Sequence, residues 1–294
     1  MSAFFRDVIY TLRPQQWVKN FLVLAPPFFG GTLFTNGDMF LKMFLAFVGF
    51  SLASSTAYIV NDISDIEDDR LHPQKKLRPL SSGRINVFTA VVLGIVTLAL
   101  SLAASYKIGT EFLIITIGYL GLSLAYTFYL QRIEIIDVFC IAIGFVLRIE
   151  AGGIASGIEV SNWLLLTTFL LSLLLAFGKR RHELVLHHDP ENTFREVLSR
   201  YNANFLDTTL SIFATTAIVT YAIYTVEIES RIFLFTVPFA IYGVLRYMYL
   251  VQTDLRGDPT ESLLKDRPLL LSVLIWFLMT TVIIYFKDVT GFLE

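Results

Sequence analysis

The segment Phe40–Leu80, "FLKMFLAFVGFSLASSTAYIVNDISDIEDDRLHPQKKLRPL", decides the fold class. Its first half, Phe40 to Val60, is an apolar run long enough to span a bilayer as a helix, which needs about 20 apolar residues. Its second half, from Tyr58 to Leu80, places Asp62, Asp65, Glu67, Asp68 and Asp69 ahead of Arg70, His72, Lys75, Lys76 and Arg78. Carboxylates packed this closely repel one another unless a cation sits among them.

The rest of the chain follows the same pattern. Of 294 residues, 55% are hydrophobic and only 16% charged, with a mean hydropathy of +0.64, far from the balance of a water-soluble domain. These values exclude a nucleic-acid-binding module and predict an integral membrane protein. Nine spans are expected: Trp17–Phe34, Phe40–Val60, Val87–Ser105, Glu111–Leu130, Ile135–Ser156, Trp163–Phe177, Phe205–Val226, Ile232–Val251 and Pro268–Phe286. Pro26-Pro27 and Gly30-Gly31 predict a kinked first span. No short-period repeat or linker is visible, so residues 1–294 read as a single all-α membrane domain.

Sidedness comes from Lys and Arg. With the N-terminus inside, seventeen fall on inner segments and three, Lys107, Arg231 and Lys287, on outer ones, a strong positive-inside pattern. The expectation is a multi-pass protein of the cytoplasmic membrane with its N-terminus and charged loops in the cytoplasm. The N-terminus lacks the basic-then-apolar pattern of a cleavable signal, so insertion is expected to use the first span. The long inner loops are 61–86 and 178–204. Cys140, the single cysteine, excludes an internal disulfide.

Asn61, Asp62, Asp65 and Asp69 are spaced N-D-x-x-D-x-x-x-D. If helix continues past the second span at about 100° per residue, the three aspartates fall within about 60° of one another. Three carboxylates on one face call for a hard cation, and Mg²⁺ held by a few carboxylates and substrate phosphates suits them. Alternating ligands and a central glycine, as a calcium loop needs, are absent. Lys75, Lys76, Arg78 and Arg84 follow in "HPQKKLRPLSSGR", where Pro73 and Pro79 end the helix and hold a defined loop; cations beside a metal face suit a diphosphate.

A second basic cluster, Lys179, Arg180 and Arg181, follows the sixth span without an acidic partner face. One carboxylate cluster with two cationic ones suits a ligand bearing more phosphate than one diphosphate. His182, His187 and His188 match no standard zinc spacing. Arg148 stands inside the fifth span, where a charge is costly, and is expected to face a polar cavity or to pair with Glu150 or Asp137. Arg13, Lys19 and Asn20 lie at the inner edge of the first span.

"NDISDIEDD" at the end of the second of nine spans resembles the first Asp-rich motif of the UbiA-type prenyltransferase superfamily. More closely, "RPQQWVKN", "NDISDIEDDRLHPQKKLRPLSSG", "DVFCIAIGFVLRIEAGG", "KRRHEL", "YGVLRYMYLV" and "GDPTESLLKDRPL", running from Arg13 to Leu269, resemble its decaprenyl-phosphate phosphoribosyltransferase branch. The resemblance implies a nine-helix bundle around a central cavity. It further implies Mg²⁺-dependent transfer of 5-phosphoribose from phosphoribosyl diphosphate to a polyprenyl phosphate lipid. Where typical superfamily members carry a second Asp-rich motif after the sixth span, this chain has Lys179–Glu183; that departure counts against the alternative of prenyl transfer from a prenyl diphosphate.

Joined to the residue reading, the resemblance gives Asp62, Asp65, Asp69 and Asn61 the metal and Lys75, Lys76 and Arg78 the diphosphate. Arg13, Lys19, Asn20 or Arg148 would guide the lipid headgroup, and Lys179, Arg180 and Arg181 would take the 5-phosphate. The isoprenoid length and the oligomeric state are not encoded in any of these motifs.

Overall fold

In a computed structural model, residues 3–34, 37–71, 73–186, 196–227, 231–253 and 259–286 are described. Their long elements are all helical: α1 (Ala3–Leu12), a 3₁₀ segment (Pro14–Leu24), α2 (Ala25–Phe29), α3 (Gly37–Ser64), α4 (Ile66–Leu71), α5 (Val87–Ile108), α6 (Thr110–Phe128), α7 (Ile136–Ser156), α8 (Asn162–Leu186), α9 (Ala203–Glu227), α10 (Val237–Thr253), α11 (Pro259–Lys265) and α12 (Arg267–Tyr285). Eight helices among the described residues are long and apolar enough to cross a membrane, which makes this a multi-pass membrane protein. Large apolar side chains on their outer faces, such as Phe88, Ile95, Ile114, Ile212 and Leu278, are exposed, as a bilayer-facing surface requires.

The expected count of nine continuous spanning helices is therefore corrected to eight among the described residues, and the difference lies in the first span. Pro14 opens a 3₁₀ run and Pro26-Pro27 sit inside the five-residue α2, so no continuous α-helix forms there. The broken segment nevertheless runs antiparallel along α3. The Leu12 carbonyl accepts from Ser55 Oγ (2.7 Å), Trp17 Nε1 donates to Ser55 Oγ (3.0 Å), and Asn20 Nδ2 donates to Ser51 Oγ (3.1 Å). The Phe21 and Phe47 rings lie 5.0 Å apart.

The described residues form two compact units, one of Met1–Ile133 with Gly144–Val160, the other of Glu134–Ile143 with Ser161–Glu294. In the first, α3 packs on α5 through small residues. A Cβ on Gly49 would lie 3.3 Å from that of Ala104, Ser101 Oγ donates to the Gly49 carbonyl (2.8 Å), and the Thr56 and Thr97 hydroxyls pair at 2.8 Å. Small residues let membrane helices approach closely enough for such bonds. Val23, Phe50, Phe112, Tyr119 and Ala151 fill the core of this unit. Gly152 is required there, since a Cβ would lie 2.0 Å from the Val23 carbonyl oxygen.

In the second unit, α8 and α9 pack together around Leu173, Leu174, Phe177, Leu206 and Leu210, with Phe177 stacked on Phe213 at 5.5 Å. Asp266 caps α12 by accepting from the Leu269 amide (2.9 Å). The expected loop 178–204 is also corrected: α8 continues to Leu186, about two and a half turns beyond Phe177. The basic cluster is helical.

Candidate functional site

The site grows from the end of α3. A 28-residue helix is about 42 Å long against a hydrocarbon core of about 30 Å, so it can hold Asp62 on its last turn clear of the apolar layer. α3 stops at Ser64 and α4 starts at Ile66, yet the Asp65 amide still donates to the Asn61 carbonyl (2.9 Å) and the Asp69 amide to the Asp65 carbonyl (2.8 Å). Helical spacing survives the break, and residues seven apart share a face. Asp62 is 4% exposed and Asp69 fully buried.

Three cations converge on these two carboxylates. Arg78 Nη1 donates to Asp62 Oδ1 (3.1 Å) and to Asp69 Oδ2. Arg13 pairs with Asp62 Oδ1, and Lys75 Nζ lies 3.6 Å from Asp69 Oδ1. The backbone makes this convergence possible in two places. Pro79 and the Gly83 turn (φ +76°) return the chain so that the Ile85 amide reaches the Pro79 carbonyl (3.0 Å), which fixes Arg78. Arg13 itself is left-handed (φ 52°, ψ 53°), a conformation a non-glycine residue holds only when its surroundings impose it. Its guanidinium also lies over the Tyr58 ring, 5.2 Å from the centroid. Burial pushes the Arg13 guanidinium below its usual pKa, with Asp62 opposing the shift.

Asp65, between them in sequence, is met by Asn61, whose Nδ2 donates to its Oδ2 (2.7 Å), and Thr127 Oγ1 reaches Asn61 Oδ1 (3.4 Å). Among the described residues no group of three or more His, Cys, Asp and Glu side chains is arranged to hold a metal. Asp62 and Asp69 share their cationic partners, and Asp69 Oδ1 is buried and lacks a hydrogen-bond partner. Two carboxylates fit Mg²⁺, which commonly takes one or two and fills the remaining positions with water and substrate phosphate.

Beside the carboxylates is a cavity of about 370 Å³ lined by Tyr10, Arg13, Gln15, Gln16, Asp62, Gln74, Leu77, Arg78, Pro79 and Arg84. Arg84 is braced by Asp7 Oδ1 (3.1 Å) and the Leu77 carbonyl (2.7 Å). Lys76 is exposed outside this lining and Lys19 is half-buried. Tyr10, Gln15, Gln16 and Gln74 were not expected in the site, since uncharged residues at a span boundary give no signal until the chain folds back on them.

Arg148 is buried, but its partners are not those expected. Its Nε donates to Asn20 Oδ1 (2.8 Å), Nη1 to the Gly144 carbonyl (2.6 Å) and Nη2 to the Tyr119 hydroxyl (3.1 Å). The rings of Phe50, Tyr119 and Phe145 surround it. Asn20 also accepts from Ser54 Oγ (3.2 Å). The expected pairing of Arg148 with Glu150 or Asp137 is thus corrected to a network of neutral acceptors joining α3, α6, α7 and the 3₁₀ segment.

In the second unit, Asp137 pairs instead with Arg180 Nε (2.6 Å) and accepts from the Tyr201 hydroxyl (2.9 Å). Arg180 Nη1 reaches Glu183 (2.7 Å), and its side chain is only 2% exposed. Arg181 donates to Asp207 (3.1 Å) and to the Val251 carbonyl (3.1 Å). Two carboxylates thus already meet the buried charge of Arg180, one of the three cations expected to take the 5-phosphate. Lys179 is exposed. His72, His187 and His188 lie outside the described residues.

Residues 23–263 match the profile of the UbiA prenyltransferase family. The chain is 34% identical over 276 residues to a decaprenyl-phosphate phosphoribosyltransferase of Mycobacterium tuberculosis, covering 92% of this chain and 91% of the relative. It is 35% identical over 288 residues to the enzyme of that name from Corynebacterium glutamicum, covering 95% and 86%. The fold matches a UbiA homologue from Archaeoglobus fulgidus bound to GPP and Mg²⁺, with a TM-score of 0.74 at 21% identity over 95% of this chain and 99% of that one.

Proposed function

This chain belongs to the UbiA prenyltransferase family, and we propose that within it the protein transfers 5-phosphoribose from phosphoribosyl diphosphate to a polyprenyl phosphate, releasing diphosphate. The observation that carries the reading is the joining of Asp62 and Asp69 through Arg78, with Arg13 and Lys75 on the same carboxylates. A diphosphate is recognised by a metal-binding acidic face with guanidinium and ammonium groups beside it. The family match spans residues of both compact units, which supports treating the whole chain as one functional domain.

Asp62 and Asp69 would hold Mg²⁺, with Asn61 and Asp65 fixing the turn that presents them. Mg²⁺ bound there supplies positive charge to the departing diphosphate. Arg78, Lys75 and Arg13 hold the same group by hydrogen bonds and share its charge as the bond from ribose C1 to the diphosphate oxygen breaks. A bond from C1 to a lipid phosphate oxygen forms in its place. The acceptor oxygen is already anionic, so no general base is needed, and catalysis rests on alignment and leaving-group stabilisation. Arg84 on the cavity wall and the exposed Lys76 are assigned the donor's remaining phosphate charge. Arg13 and Lys19 guide the lipid headgroup.

The seventeen-to-three Lys/Arg asymmetry supports a cytoplasmic N-terminus and a site at the cytoplasmic face of the inner membrane. That count treats the broken segment antiparallel to α3 as a ninth crossing. The reading is tested by offering purified protein phosphoribosyl diphosphate or a prenyl diphosphate, each with Mg²⁺ and its acceptor. Diphosphate release from the sugar donor alone is expected; release from the prenyl donor alone would contradict it.

A further inference from the structure

The cavity beside Asp62 is unusual in its walls. Ligand sites are mostly apolar with a few placed polar groups, and an isoprenoid chain needs such walls to leave water. Here Leu77 and Pro79 are the aliphatic residues among ten, and three of the others are glutamines: Gln15, Gln16 and Gln74. They come from two separate stretches of chain. Gln15 and Gln16 follow the left-handed Arg13 and Pro14, where the Gln16 amide donates to the Arg13 carbonyl (2.9 Å); Gln74 precedes the turn that carries Lys75 and Arg78.

We infer that Gln15, Gln16 and Gln74 form the sugar subsite and select a hydroxylated donor by hydrogen bonding its ring hydroxyls. A carboxamide offers both a donor and an acceptor, which matches a hydroxyl that is also both. It carries no charge, so it neither competes for the metal nor holds the diphosphate. The same turns that aim Arg13 and Arg78 at the carboxylates bring these amides to the adjoining wall, so sugar and diphosphate are read side by side. A donor lacking hydroxyls forfeits these hydrogen bonds, each a modest contribution at a half-buried or exposed amide. This inference rests on the phosphoribosyl-transfer reading and names what in the site makes the donor a sugar.

The test compares phosphoribosyl diphosphate with its 2-deoxy and 3-deoxy analogues on the full-length protein in lipid nanodiscs with polyprenyl phosphate. The wild type is expected to prefer the ribose donor. Gln15→Leu, Gln16→Leu and Gln74→Leu are expected to raise KM for the ribose donor, and at least one of them to lower its preference over a deoxy analogue about tenfold, the effect of one or two lost hydrogen bonds. The Mg²⁺ concentration for half-maximal rate should not move in these variants, and Gln→Asn at the responding position should recover part of the preference. An active wild type indifferent to the hydroxyls, or variants that all keep its preference, would overturn the inference alone. A wild type that consumes prenyl diphosphate and not the sugar donor would overturn the transfer reading, and the inference with it.

Discussion

Arg78 Nη1 lies 3.1 Å from Asp62 Oδ1 and bonds Asp69 through the same nitrogen, tying the last turn of α3 to α4 across the break at Asp65. One guanidinium thereby sets the spacing of both buried carboxylates and stands where a diphosphate would be met. Arg78→Ala should therefore lower kcat/KM for phosphoribosyl diphosphate by about 100-fold or more. Arg78→Lys, which keeps the charge and loses the fork, should recover only a fraction of that rate. Diphosphate release kinetics would check both.

The aspartates of the motif should not be equivalent. Asp62 and Asp69 share the cationic partners, whereas Asp65 is hydrogen bonded by Asn61. Asp62→Asn and Asp69→Asn should each raise the Mg²⁺ requirement by about tenfold or more, since each replaces an anionic ligand by a neutral one. Asp65→Asn should have a smaller effect. Mg²⁺ titrations of the three variants would show the order.

Arg148 is predicted to matter for stability. Arg148→Ala removes three hydrogen bonds, leaves Asn20 and the Gly144 carbonyl short of a donor, and opens a cavity among aromatic rings; losses of this kind cost about 3 kcal/mol or more. Thermal unfolding in detergent should show a clear drop for Arg148→Ala and a smaller one for Arg148→Lys.

Neighbouring cations on α8 should part in the same assay. Arg180→Ala strands Asp137 and Glu183 and should destabilise by about 3 kcal/mol. Lys179→Ala, at an exposed position, should stay within about 0.5 kcal/mol of wild type.

Much of this architecture was legible because membrane spans are set by apolar length, and eight of the expected spans match the helices closely. The first was legible only as a break: two proline sites and a glycine pair announce that a straight helix fails, but not that a 3₁₀ run replaces it. The extension of α8 was invisible to hydropathy, which ends at Phe177, although Lys179, Arg180, Glu183 and Leu184 are all good helix formers. The acidic and basic halves of the site were readable from Tyr58–Leu80 since they are local in sequence. The pairing of Arg148 with Asn20, 128 residues away, and of Arg180 with Asp137 was not, because charge alone does not choose between buried partners. The glutamine wall was missed for a similar reason: an amide declares nothing until two segments meet.

The most direct test of the central claim is mass spectrometry of the lipid formed when purified protein is given polyprenyl phosphate, phosphoribosyl diphosphate and Mg²⁺. The account predicts a polyprenyl phosphate heavier by one 5-phosphoribosyl group, formed one-for-one with diphosphate. An unchanged lipid phosphate in a preparation that instead transfers a prenyl group from a prenyl diphosphate would contradict it.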